Sequence, residues 1–76
     1  MTAKNTALVS ALVSSVLNLP PGAVDGDSSM ESIPQWDSVA QLNICLEFQE
    51  RFGVDLDMDT IASATNVARL ASLLPI

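Results

Sequence analysis

Asp37-Ser38-Val39 stands between the turn-forming run Ile33-Pro34-Gln35-Trp36 and the apolar-spaced run Ala40-Gln41-Leu42-Asn43-Ile44-Cys45-Leu46, which sets a serine hydroxyl at the start of a helix. The chain has no histidine and one cysteine, Cys45, so it can build neither a Ser-His or Cys-His pair, nor a disulfide within itself, nor a structural zinc site. No catalytic residues and no metal ligands are expected, and chemistry at Ser38 has to be supplied by another protein. Two local readings of the serine stand side by side. Ser38-Val39-Ala40-Gln41 fits the capping-box pattern, in which the serine caps the helix and the glutamine returns to it. Asp37 can instead be the cap, which leaves the Ser38 hydroxyl facing solvent.

Other candidate sites are weaker. Asp55-Leu56-Asp57-Met58-Asp59 resembles the start of a calcium loop, but Thr60 stands where glycine belongs and Asn66 where a bidentate glutamate belongs. Cys45 falls on an apolar stripe and reads as a small buried hydrophobe. Met30 and Met58 read as gap-fillers, and Arg51 and Arg69 are too few for a nucleic-acid surface.

The elements that must position Ser38 follow from periodicity and breakers. At helical spacing Leu8, Val9, Leu12, Val13, Val16 and Leu19 gather on one side and Lys4, Ser10, Ser14, Ser15 and Asn18 on the other, and residues 3 to 18 read as a first helix. That segregation argues for an amphipathic helix over an export signal, and the run is too short and serine-rich to span a bilayer. Pro20-Pro21-Gly22 stops it. Residues 19 to 36 form a long loop, expected to be pinned by Val24, Met30 and Ile33. A second helix runs from about Ser38 to Phe52 and is stopped by Gly53. A short helical turn at Asp57 to Ala62 is capped by Asp57 or Asp59, and a last helix, Asn66 to Leu74, is capped by Thr65, buries Val67, Leu70, Ala71 and Leu74, and ends before Pro75. No segment alternates as a strand would. The expectation is an all-α domain spanning residues 1–76, a small four-helix bundle of three longer helices and one short one.

The second helix carries two apolar stripes. Ile44, Cys45, Phe48 and Phe52 form one; Val39, Leu42 and Leu46 form another, rotated by more than a right angle. Either the helix has a wide buried face, or Val39, Leu42 and Leu46 dock partner proteins with Glu47 and Glu50 on the rim setting orientation. Both readings bury Phe48 and Phe52. Nine acidic residues against three basic ones give a net charge of −6, which disfavours nucleic acid and anionic membranes and favours a partner with a basic surface. A monomeric, cytoplasmic protein is expected.

Taken together, a first helix, a long loop, Asp-Ser-hydrophobic at the head of a second helix, an acidic end to that helix closing on Phe52-Gly53-Val54, a short helix and a final one resemble an acyl carrier protein of the phosphopantetheine-attachment family. The resemblance covers nearly the whole length and is strongest over Trp36 to Val54, WDSVAQLNICLEFQERFGV. It implies that Ser38 receives a 4′-phosphopantetheine arm from coenzyme A, through a separate phosphopantetheinyl transferase that supplies the base and Mg²⁺. Asp37 would hold the helix start and meet that transferase. The arm's thiol would hold an acyl or aminoacyl group as a thioester for the ligases, synthases or transferases of a fatty-acid, polyketide or other specialised pathway. Ala40, Gln41 and Asn43 stand where carriers of fatty-acid synthesis have acidic residues, Val39 replaces the usual leucine, and the Gly-Gly pair of peptidyl carriers is absent. These departures, with Trp36, point to a stand-alone carrier that serves dedicated partners. The reading from a different class is an unmodified helical interaction module that binds a basic partner through the second helix.

Overall fold

The computed structural model describes residues 2–20 and 22–74, and the described residues form four helices and no strand. They are α1, Thr2–Leu17; α2, Ser38–Phe52; α3, Met58–Ser63; and α4, Val67–Ser72. The all-α, four-helix reading is therefore met, although α4 has only 6 residues and is no longer than α3. Its last expected turn tightens instead: Leu73 and Leu74 donate to Leu70 and Ala71, three residues back. Asn66, not Thr65, caps α4, with its side chain accepting from the Arg69 amide at 2.7 Å. Pro21 and Pro75, expected to bound the first and last helices, lie outside the described residues.

α1 packs against α2 and α4, whereas α3 packs against α2 alone. Val9, Leu12 and Val13 from α1, Ile44 and Phe48 from α2, and Val67 and Leu70 from α4 are fully buried and share one core with Trp36. Each such aliphatic or aromatic side chain contributes about 1.5–3 kcal/mol on leaving water. The buried arc of α1 is turned from the expected one: Leu8 is exposed and Leu17 and Ser14 are buried. The loop folds back beside Ser14, and Leu19 and Val24 share the wall of one hollow with it.

α1 ends on Asn18, whose φ of 62° is left-handed, with Leu19 N–H donating to the Ser14 carbonyl at 2.9 Å and Asn18 N–H to that of Ser15 at 3.3 Å. This paired arrangement closes the helix before the prolines are reached. Gly53 ends α2 in the same conformation, as expected, with φ 66° and its amide on the Gln49 carbonyl.

The long loop is pinned where expected, by buried Val24 and Ile33 and partly buried Met30. Backbone bonds add a second fastening: Met30 N–H donates to Thr65 at 2.8 Å and Val67 N–H to Ser28 at 3.1 Å, around an isolated bridge between Ser29 and Asn66. The loop therefore delivers Trp36 and Asp37 to a fixed place at the head of α2. Met58 does not fill a gap, since it is 77% exposed. As the first residue of α3, a helix with no buried residue, it has no core to enter.

Candidate functional site

The head of α2 is built from the turn before it. Trp36 N–H donates to the Ile33 carbonyl at 3.0 Å, and the indole is almost completely buried, so the chain leaves the core at the next residue. Asp37 is extended, with φ −105° and ψ −171°, and its Oδ1 accepts from the Ala40 amide at 2.9 Å while its carbonyl accepts from Gln41 N–H at 2.8 Å. Of the two caps the sequence allowed, Asp37 fills the position. Ser38 becomes the first helical residue, exposed, with no hydrogen-bond partner for its hydroxyl among the described residues. The amides of Ser38 and Val39 remain the open donors of a helix start, where an anion is favoured.

Gln41 does not return to the cap. It is buried, and its amide joins three parts of the chain. Oε1 accepts from Trp36 Nε1 at 2.7 Å, while Nε2 donates to the carbonyls of Ile61 at 2.7 Å and Ala64 at 2.9 Å and lies 3.4 Å from Cys45 Sγ. Both amide protons and the indole proton thus have oxygen acceptors, as a buried polar group requires. The sequence carried a signal for this. Gln41 precedes Ile44, Cys45 and Phe48 by three, four and seven residues, so the one polar residue on the core stripe was open to notice.

The two stripes of α2 separate cleanly. Ile44, Cys45 and Phe48 are fully buried, and Phe52 is partly buried with its ring edge-on to Phe48 at 5.1 Å. Val39, Leu42 and Leu46 are 69%, 49% and 52% exposed, which excludes the wide buried face. Glu47 lies beside this stripe in an ion pair with Arg51 at 2.8 Å, while Glu50 is exposed. Burial pushes the Cys45 thiol above its usual value. The carboxylate of Asp57 caps α3 through the Thr60 amide at 2.8 Å, and no group of three or more metal-ligating side chains converges among the described residues.

A hollow of about 310 Å³ opens beside Ser38, between the head of α2 and the segment carrying α3, with Ser38, Gln41, Leu42, Ile61, Ala62 and Thr65 on its walls. A larger one of about 800 Å³ lies between α1 and the loop, includes none of these residues, and has Asp25 as its only ionisable lining group. The smaller hollow is the one with Ser38, at the head of α2, on its wall.

Fold and site define a small helical module that presents a hydroxyl without a base to activate it. The family model described as the phosphopantetheine attachment site matches residues 7–74, a span that includes Asp37, Ser38 and Val39. The chain belongs to that family: it is an acyl carrier-type protein, which bears 4′-phosphopantetheine covalently and does not itself catalyse. No curated protein and no solved structure matches it. None of the described helices is long and apolar enough to cross a membrane.

Proposed function

We propose that Ser38 is the attachment residue and that residues 1–76 act as one carrier domain, monomeric and cytoplasmic, for a dedicated biosynthetic pathway. The observation that carries this reading is the free, exposed Ser38 hydroxyl beside a cap already filled by Asp37. The residues fit the group. A phosphodiester on Ser38 would meet the open amides at the start of α2, and the arm would leave from a helix held by the buried Trp36. Once attached, the arm offers a thiol that holds acyl or aminoacyl cargo as a thioester. The protein's own part is positioning: α2 fixes the anchor, and the domain confers high effective concentration at each partner's site.

Val39, Leu42 and Leu46 are the proposed docking stripe for the phosphopantetheinyl transferase and for the acyl- or aminoacyl-loading ligase, synthase or transferase, with Glu50 and the Glu47–Arg51 pair on its rim. Asp37 is proposed to touch the transferase as well as to hold the helix. Partners with basic surfaces complement the net charge of −6. An unmodified interaction module would use the same stripe, and intact mass after incubation with coenzyme A and a broad-specificity transferase separates the two. One phosphopantetheine added on the peptide containing Ser38 supports the carrier reading; an unchanged mass supports the interaction module.

A further inference from the structure

We propose that Gln41 determines cargo size. It seals the inner end of the hollow beside Ser38 and limits what can be sheltered there to short groups. The inference rests on Ser38 being the attachment residue. Of the residues on its walls, Ser38, Leu42 and Ala62 are exposed, Met30, Ile61 and Thr65 are half-buried, and Gln41 alone is buried, with Trp36, Cys45 and Ala64 fully or almost fully buried around its amide. A chain directed inward from Ser38 meets the buried Gln41 side chain.

Moving it has a defined consequence. Gln41 bridges the Trp36 indole on one side and the Ile61 and Ala64 carbonyls on the other, so displacement strips all of these of their partners at once. An alkyl chain offers no donor or acceptor to replace them, and a buried polar group left unpaired opposes the gain from burying methylenes. The same amide holds the two walls together. α3 has no buried residue and packs only against α2, so the Gln41 bonds to Ile61 and Ala64 are specific ties across the hollow. The hollow holds about 310 Å³ and is open to solvent along the side of Ser38, Leu42 and Ala62. The arm's end takes part of that room. The first carbons of a cargo therefore find shelter, and the remainder of a long chain stays outside.

The test loads the intact protein from acetyl-, hexanoyl- and dodecanoyl-coenzyme A with a broad-specificity transferase, confirms each product by intact mass, and compares melting temperatures and Trp36 emission. In the unmutated protein the hexanoyl and dodecanoyl forms should melt within about 1 °C of each other, and the emission of the buried indole should stay unshifted. Gln41→Leu removes the polar seal, and its dodecanoyl form should melt above its hexanoyl form by about 4 °C or more, the shift for a modest added stabilisation in a domain of this size. Each variant is compared only with itself, which removes its own loss of stability. Should Gln41→Leu fail to fold, Gln41→Met takes its place, and the unmutated series still decides. A dodecanoyl form of the unmutated protein that melts several degrees above the hexanoyl form, or a folded Gln41 variant with no chain-length step, overturns the proposal. No added mass at all overturns the attachment reading itself and this proposal with it.

Discussion

Asp37 and Ser38 divide two tasks that one residue could have performed. The carboxylate closes the helix by accepting from Ala40, and the hydroxyl is left with nothing to hold inside the protein. Spacing favoured serine as the cap, through the capping-box pattern with Gln41, and the structure overturns that reading: Asp37 is the cap and the Gln41 amide is taken up by Trp36, Ile61 and Ala64. Asp57 caps α3 in the same way, and here the electrostatics can be tested. The Thr60 side chain and amide favour the charged carboxylate and hold Asp57 below its usual range. The folded state thus releases this proton more readily than the unfolded chain. Its contribution is complete above the unfolded pKa and is lost as pH falls through the folded one. Asp57→Asn keeps a capping side chain and removes the titration. In urea melts from neutrality into the acid range, the unmutated protein should lose more stability than the variant, and parallel losses would contradict this account.

Among the elements, α2 was the most legible and α4 the least. The limits of α2 at Ser38 and Phe52 follow from a polar pair at one end and Gly53 at the other, which are local signals. The end of α1 was expected from the prolines; the structure adds the left-handed Asn18, unforeseen because asparagine in that position has no distinctive neighbourhood in sequence. α4 stops early through bonds that only the folded chain reveals. The exposure of one stripe of α2 was likewise not decidable from periodicity, since it depends on which sides α1 and α3 leave uncovered. With Leu46 52% exposed and Phe48 fully buried, their truncations should diverge. Phe48→Ala should cost about 3–5 kcal/mol in denaturant melts. Leu46→Ala should stay within about 0.5 kcal/mol while slowing turnover by the transferase. A large stability loss at Leu46, or unimpaired turnover, would count against the docking stripe.

At the scale of the whole molecule, composition excluded enzymatic machinery of the usual kinds, and resemblance over nearly the full length supplied the carrier reading that spacing alone could not. The long loop was read as pinned at three side chains, yet it is also stitched to the chain before α4 by the Ser28-to-Val67 and Met30-to-Thr65 backbone bonds. Such pairing between distant segments leaves no pattern in either one. Cys45 reports on the cohesion of the result, being fully buried with its thiol pushed up by burial. In the protein without its arm, N-ethylmaleimide should label Cys45 only as the domain opens, at rates that climb with urea; labelling of the native protein at the rate of an exposed cysteine would show the core to be loose. The central claim concerns Ser38, and intact mass after treatment with coenzyme A and a broad-specificity transferase tests it most directly. The account predicts one phosphopantetheine on the unmutated chain and none on Ser38→Ala, with both melting alike because this hydroxyl holds nothing in the fold. Full addition persisting in Ser38→Ala, or none on the unmutated chain, would contradict it.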